Sequence, residues 1–147
     1  MWDKDKLNRK RRYRINSFSA PLMSNTKWRE VFRVLCLNDS LIKLCFEKQI
    51  HGKRLRQFRI PPFDEYNFAF NSTGITDCYG AGGPILFNEI QELIFPASWE
   101  IQRMMRNEKL TPFVGTQNIV EIKNVIDKVG QIETYLDEDN LIVYGYR

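Results

Sequence analysis

"GPILFNEIQELIFP", residues 83–96, decides the fold. Its apolar residues do not return at the spacing of a helix that would begin at the preceding glycines, and the run ends at Pro96. The segment therefore reads as a central strand over residues 85–95, with a bulge near Glu89–Ile90 where strict alternation breaks. The glycines before it, in "YGAGGPILF" at 79–87, suggest a phosphate loop, because exposed backbone N–H groups cradle anions. Neither GxxxxGK[ST] nor GxGxxG is present, so the cluster reads as a tight, irregular loop entering the strand.

On the N-terminal side, Trp28, Val31, Phe32, Leu35 and Cys36 fall at helical spacing, which predicts an amphipathic helix over 26–37 begun by the Ser-Asn-Thr cluster and stopped by "NDS" at 38–40. In "LIKLCFEKQI" the residues Ile42, Leu44 and Phe46 alternate against Lys43 and Glu47. With the "HGK" turn and "RLRQFRI", residues 41–60 read as a β-hairpin ended by Pro61-Pro62. In "YNFAF" the rings of Tyr66, Phe68 and Phe70 recur at every second residue, which predicts a short strand with a core-facing aromatic stripe.

On the C-terminal side, "ASWEIQRMMRNEKL" sets Ile101, Met104 and Met105 at helical spacing and predicts a helix from about Ser98, followed by "TPFVGTQN" as a loop. "NIVEIKNVIDKVG" predicts a helix with Asn118 as N-cap and Gly130 as C-cap. "QIETYLDEDNLIVYGYR" then reads as two strands around the acidic turn "DEDN". The expected fold class is α+β: a single domain over 23–147, an antiparallel sheet of about five to six strands with three helices packed on it, preceded by a basic N-terminal extension at 1–22.

Hydrophobic residues make up 43% and charged residues 27% of the 147, as in an ordinary globular protein. The net charge of +4 is unevenly distributed. Residues 1–22 hold seven Lys or Arg against two Asp, whereas 23–147 hold fifteen Lys or Arg against sixteen Asp or Glu. Met23 reads as a natural start, which would make 1–22 an upstream extension. Alternatively, "NRKRRYR" at 8–14 supplies salt-dependent attraction to phosphate through Arg9, Lys10, Arg11, Arg12 and Arg14. Arg54, Arg56 and Arg59 beside the aromatic run would extend that basic surface.

Cys36, Cys45 and Cys78 show no CxxC spacing and read as free thiols. With His51 as the only histidine, paired-histidine chemistry is excluded and no Ser-His-Asp arrangement is suggested. Glu89 and Glu92 could not share one face of a regular strand, and Asp137, Glu138 and Asp139 read as a solvated turn. No cofactor or metal is expected. No apolar run reaches the length of a membrane span, and 1–22 lack the apolar core of a secretory signal, which points to the cytoplasm and away from membranes.

"NTKWREVF" at 25–32, "GPILFNEIQELIFP" and the closing "LIVYGYR" at 141–147 resemble an uncharacterised bacterial family of unknown function. The resemblance spans most of 23–147 and implies no catalytic residue. In size and composition the chain is also similar to the immunity proteins of bacterial toxin systems, which bind a toxin domain and block it. The expected function is accordingly a non-enzymatic, cytoplasmic protein-binding module, with a toxin domain as its most specific partner. Asp77, Tyr79, Trp99 and Arg103 are its candidate protein-binding residues, placed on loops. The alternative is a nucleic-acid-binding protein that uses the basic tail.

Overall fold

The computed structural model describes residues 21–52, 54–76, 84–106 and 108–147. Residues 25–37 form helix α1 (Asn25–Leu37), capped by Ser24, whose hydroxyl oxygen accepts a hydrogen bond from the Lys27 N–H at 3.1 Å. Trp28, Val31, Phe32, Leu35 and Cys36 are all buried, as their spacing predicts. Asn38 ends the helix and donates from its amide to the Val34 carbonyl. After a 3₁₀ turn at Asp39–Leu41, strands β1 (Cys45–Gln49) and β2 (Leu55–Phe58) form the expected hairpin.

The inner face of β1 differs from expectation. Cys45 and Glu47 point into the core and Phe46 lies half-buried on the other face. Leu44 is buried before the strand begins, so apolar residues on both sides of Cys45 had suggested the opposite alternation.

Residues 63–69 are helical. A 3₁₀ turn at Phe63–Glu65 follows Pro62 and runs into α2 (Tyr66–Ala69), so the aromatic run is not a strand. Pro62, with φ −65°, is pre-set to start a turn, and Tyr66 and Phe70 at i and i+4 face the core together. Phe68, between them, is 75% exposed, whereas a strand would have turned all three rings the same way.

The segment 84–96, expected as one strand from 85, is divided. β3 (Gly74–Ile75) and β4 (Ile85–Leu86) form a small antiparallel pair, a 3₁₀ turn follows at Phe87–Glu89, and β5 (Ile90–Pro96) is the centre of the main sheet. The expected break in alternation is present: pairing shifts from Lys48–Glu92 to Gln49–Ile90, which leaves Gln91 as the extra residue. The Gln91 carbonyl accepts from the N–H groups of Gly145 and Tyr146.

Residues 98–105 and 108–116 form a long antiparallel ribbon, β6 (Ser98–Met105) and β7 (Glu108–Thr116), where a helix and a loop were expected. Trp99, Ile101 and Arg103 alternate at the strand period, and β-branched and aromatic residues at 111–114 suit the facing strand. Helix α3 (Ile119–Asp127) follows, with the Asn118 side chain accepting from the Glu121 N–H at 3.1 Å. Gly130, at φ +139°, lies just beyond it. The chain closes with β8 (Thr134–Leu136) and β9 (Asn140–Tyr144) around an Asp137 turn, whose carboxylate accepts from the N–H groups of Asp139 and Asn140.

The main sheet is fully antiparallel, in the order β2-β1-β5-β9-β8. Cys45, Leu93, Phe95, Leu141 and Val143 from one face share a core with the apolar sides of α1 and α3. Phe32 is the hub of this core, with its ring 4.6 Å from Phe70 and under 6 Å from Trp28, Phe58 and Phe87. Such aromatic contacts add to the area buried. On the other face, Phe46, Ile94, Ile142 and Tyr135 stand side by side across four strands.

Candidate functional site

The ribbon β6–β7 leaves the sheet at Ala97 and returns at Gln117. Its base is fixed by one side chain. Gln117 Oε1 accepts from the Lys43 N–H (2.9 Å) and the Leu44 N–H (3.2 Å), and its Nε2 donates to the carbonyls of Leu44 (2.8 Å) and Pro96 (2.7 Å). A glutamine amide has two acceptor sites and two donors, so this residue is fully used in joining the ribbon to β1 and β5.

Beyond that base no residue of β6 or β7 whose side chain is described is buried, and none belongs to the core cluster. The two faces of the ribbon differ. Trp99, Ile101 and Arg103 share one face with Gly115, Phe113 and Leu110 across the pair. Glu100 and Val114 lie opposite each other on the other face. The Trp99 and Phe113 rings are 5.8 Å apart and tilted by 44°. Phe113, Leu110 and Val114 are 36%, 38% and 64% exposed.

Pairing shifts between Ile101–Phe113 and Arg103–Leu110, so β7 carries one extra residue around Thr111–Pro112. A bulge is where proline is tolerated in a strand, because it makes no ladder bond there. Arg103 Nε donates to the Thr111 carbonyl at 3.1 Å, which holds the guanidinium along the apolar face. An isolated two-stranded ribbon is only marginally stable in water. A half-buried Trp with exposed Phe and Leu beside Arg is a combination of residue types that anchors protein interfaces.

Two of the four residues expected to bind protein are thus brought together. Trp99 and Arg103 stand four residues apart on one strand, on either side of Ile101 and not on loops, and Trp99 is half-buried by its own ribbon. Asp77 and Tyr79 lie outside the described residues, as do Arg9, Lys10, Arg11, Arg12 and Arg14. Of the remaining basic candidates, Arg56 stands opposite Glu47 in the β1–β2 ladder, and Arg54 and Arg59 are exposed on either side of β2. The aromatic run they were set beside is divided between core and solvent. Ile101, Leu110, Phe113 and Gln117 had not been singled out. The alternation of Trp99, Ile101 and Arg103 was the available signal, and the helical spacing of Ile101, Met104 and Met105 obscured it.

A second polar cluster lies at the far end of β1. Glu47 is 1% exposed; its Oε1 accepts from Gln49 Nε2 at 3.0 Å and its Oε2 has no hydrogen-bond partner. Burial raises its pKa above the usual carboxylate value, reinforced by the charge of Glu89 and opposed by Gln49 and Arg56. Glu89 is itself buried, with its Oε2 3.5 Å from His51 Nε2. Cys36 and Cys45 are buried free thiols, and burial pushes Cys36 up to about 12, with Asp39 and Glu65 adding to the shift. Among the described residues no group of three His, Cys, Asp or Glu could hold a metal ion, and no helix is long and apolar enough to cross a membrane.

No family model matches the chain, and neither the curated proteins nor the solved structures include a match.

Proposed function

We propose that this chain is a non-enzymatic protein-binding module that presents the ribbon β6–β7 to its partner. One observation carries the reading: an excursion from the main sheet, β6–β7, is tied to the domain at Gln117, contributes none of its described side chains to the core and sets Trp99, Ile101, Leu110 and Phe113 on one face. Folding alone gives little return for ordering such a segment, and burial against another protein would supply it. The narrower form, stoichiometric inhibition of a toxin domain in the cytoplasm, needs surface complementarity and no reacting group. The exposed stripe is compatible with that form without selecting it.

The test is affinity capture from the native host by the tagged full chain and by Phe113→Asp, both after nuclease treatment. A protein retained by the first and lost by the second is the expected result. Retention by both would move the binding surface elsewhere. Recovery of nucleic acid alone, lost when 1–22 are removed, would favour the basic tail instead.

A further inference from the structure

On the reading of the ribbon as an interaction element, we propose that it also joins two copies of this chain, by antiparallel pairing of their β6 edges about Ile101. A free strand edge is a row of N–H and C=O groups ready to pair, and proteins shorten or block such edges. The edges of the main sheet are short: four residues in β2 and three in β8. On the ribbon, β7 is interrupted by its bulge and by Pro112, which has no N–H to donate. β6 offers eight residues without proline or bulge. It is the long, unblocked edge among the described strands.

Its sequence is also self-complementary in one register. With Ile101 opposite Ile101 of the second copy, Trp99 stands opposite Arg103 of the second copy, and the reverse pair forms by symmetry. Glu100 then faces Gln102. Directly opposite pairs are the ones that stabilise a sheet, and Arg103, on leaving the Thr111 carbonyl of its own ribbon, adds a cation–π attraction on the tryptophan face. Centring on Glu100 or on Arg103 would instead set like charges against each other, and centring on Gln102 would separate Trp99 from Arg103.

The Ile101 register keeps both apolar faces on one side. Phe113, Ile101 and their two counterparts then form a row of four across a continuous four-stranded sheet. A two-fold pairing closes on itself and leaves only the β7 edges outward, where Pro112 discourages further growth. A single strand pair is a small interface, so the dimer is concentration-dependent.

Sedimentation equilibrium of the full chain across micromolar concentrations tests this, with Ile101→Asp, Ile101→Lys and Val114→Asp as variants and circular dichroism to confirm folding. The expected result is a monomer–dimer equilibrium that either Ile101 variant weakens at least tenfold and Val114→Asp leaves unchanged. Mixing the Asp and Lys variants should restore the dimer, because opposite charges then meet on the two-fold axis. A wild-type chain that stays monomeric, a mixture that is not restored, or equal loss in Val114→Asp would each overturn the proposal. If the chain is monomeric yet Phe113→Asp still abolishes partner capture, the dimer fails and the binding reading stands. If the dimer forms as described while Phe113→Asp keeps the partner, the binding reading fails instead.

Discussion

The indole of Trp99 lies across Gly115 on the facing strand, so close that a Cβ at position 115 would fall 2.4 Å from the ring. Only the absence of a side chain there lets the ring lie flat along the ribbon beside Phe113. Gly115→Ala should therefore displace Trp99 without disturbing the core, since neither residue belongs to it. In a nitrogen–proton NMR spectrum the Trp99 indole signal is expected to move while that of buried Trp28 stays in place. An unmoved Trp99 signal would mean the close approach does not exist in solution.

Gln117→Ala removes four hydrogen bonds at the base of the ribbon and strands the Lys43 N–H, both backbone groups of Leu44 and the Pro96 carbonyl. Leaving such groups unpaired should cost about 2 kcal/mol. Urea denaturation is expected to show a lower midpoint with an unchanged slope. A loss below about 0.5 kcal/mol would show that water replaces the clamp.

Phe32→Ala and Phe68→Ala separate two readings of the aromatic residues. Phe32 joins four rings in the core, so its truncation should destabilise the protein by about 3–5 kcal/mol. Phe68 is largely exposed on α2, and its truncation should stay within about 0.5 kcal/mol. Equal, large losses would restore the strand reading of "YNFAF".

Glu47 links stability to pH. Burial holds its carboxyl above the usual carboxylate value, so between the unfolded and folded values the folded chain keeps a proton that the unfolded chain has released. Its contribution is full below the unfolded pKa and is lost as pH rises through the raised folded value. Thermal unfolding followed from pH 4 upward should show this loss, and Glu47→Gln should flatten it. Identical slopes in the two proteins would remove Glu47 from the account.

What the sequence made legible follows from which signals were unopposed. The helices at 25–37 and 119–127 carry five and three buried apolar residues at clean helical spacing behind side-chain N-caps, and both appear where expected. The terminal hairpin was marked by its Asp-rich turn. The ribbon was not, because Ile101, Met104 and Met105 imitate a helix face. Its exposed strands also lack the sustained inward-facing alternation that a half-buried strand displays. The role of Gln117 could not be read at all: its partners at 43, 44 and 96 are brought to it only by the fold.

The most direct test of the central claim is site-specific photo-crosslinking in native-host extract under nuclease, with a photoreactive phenylalanine analogue at Phe113. The control places it at Tyr135, an exposed aromatic on the main sheet. The expected result is a discrete protein adduct, distinct in mass from a crosslink between two copies of this chain, at 113 and absent at 135. The same adduct at both positions, or none at 113, would contradict it.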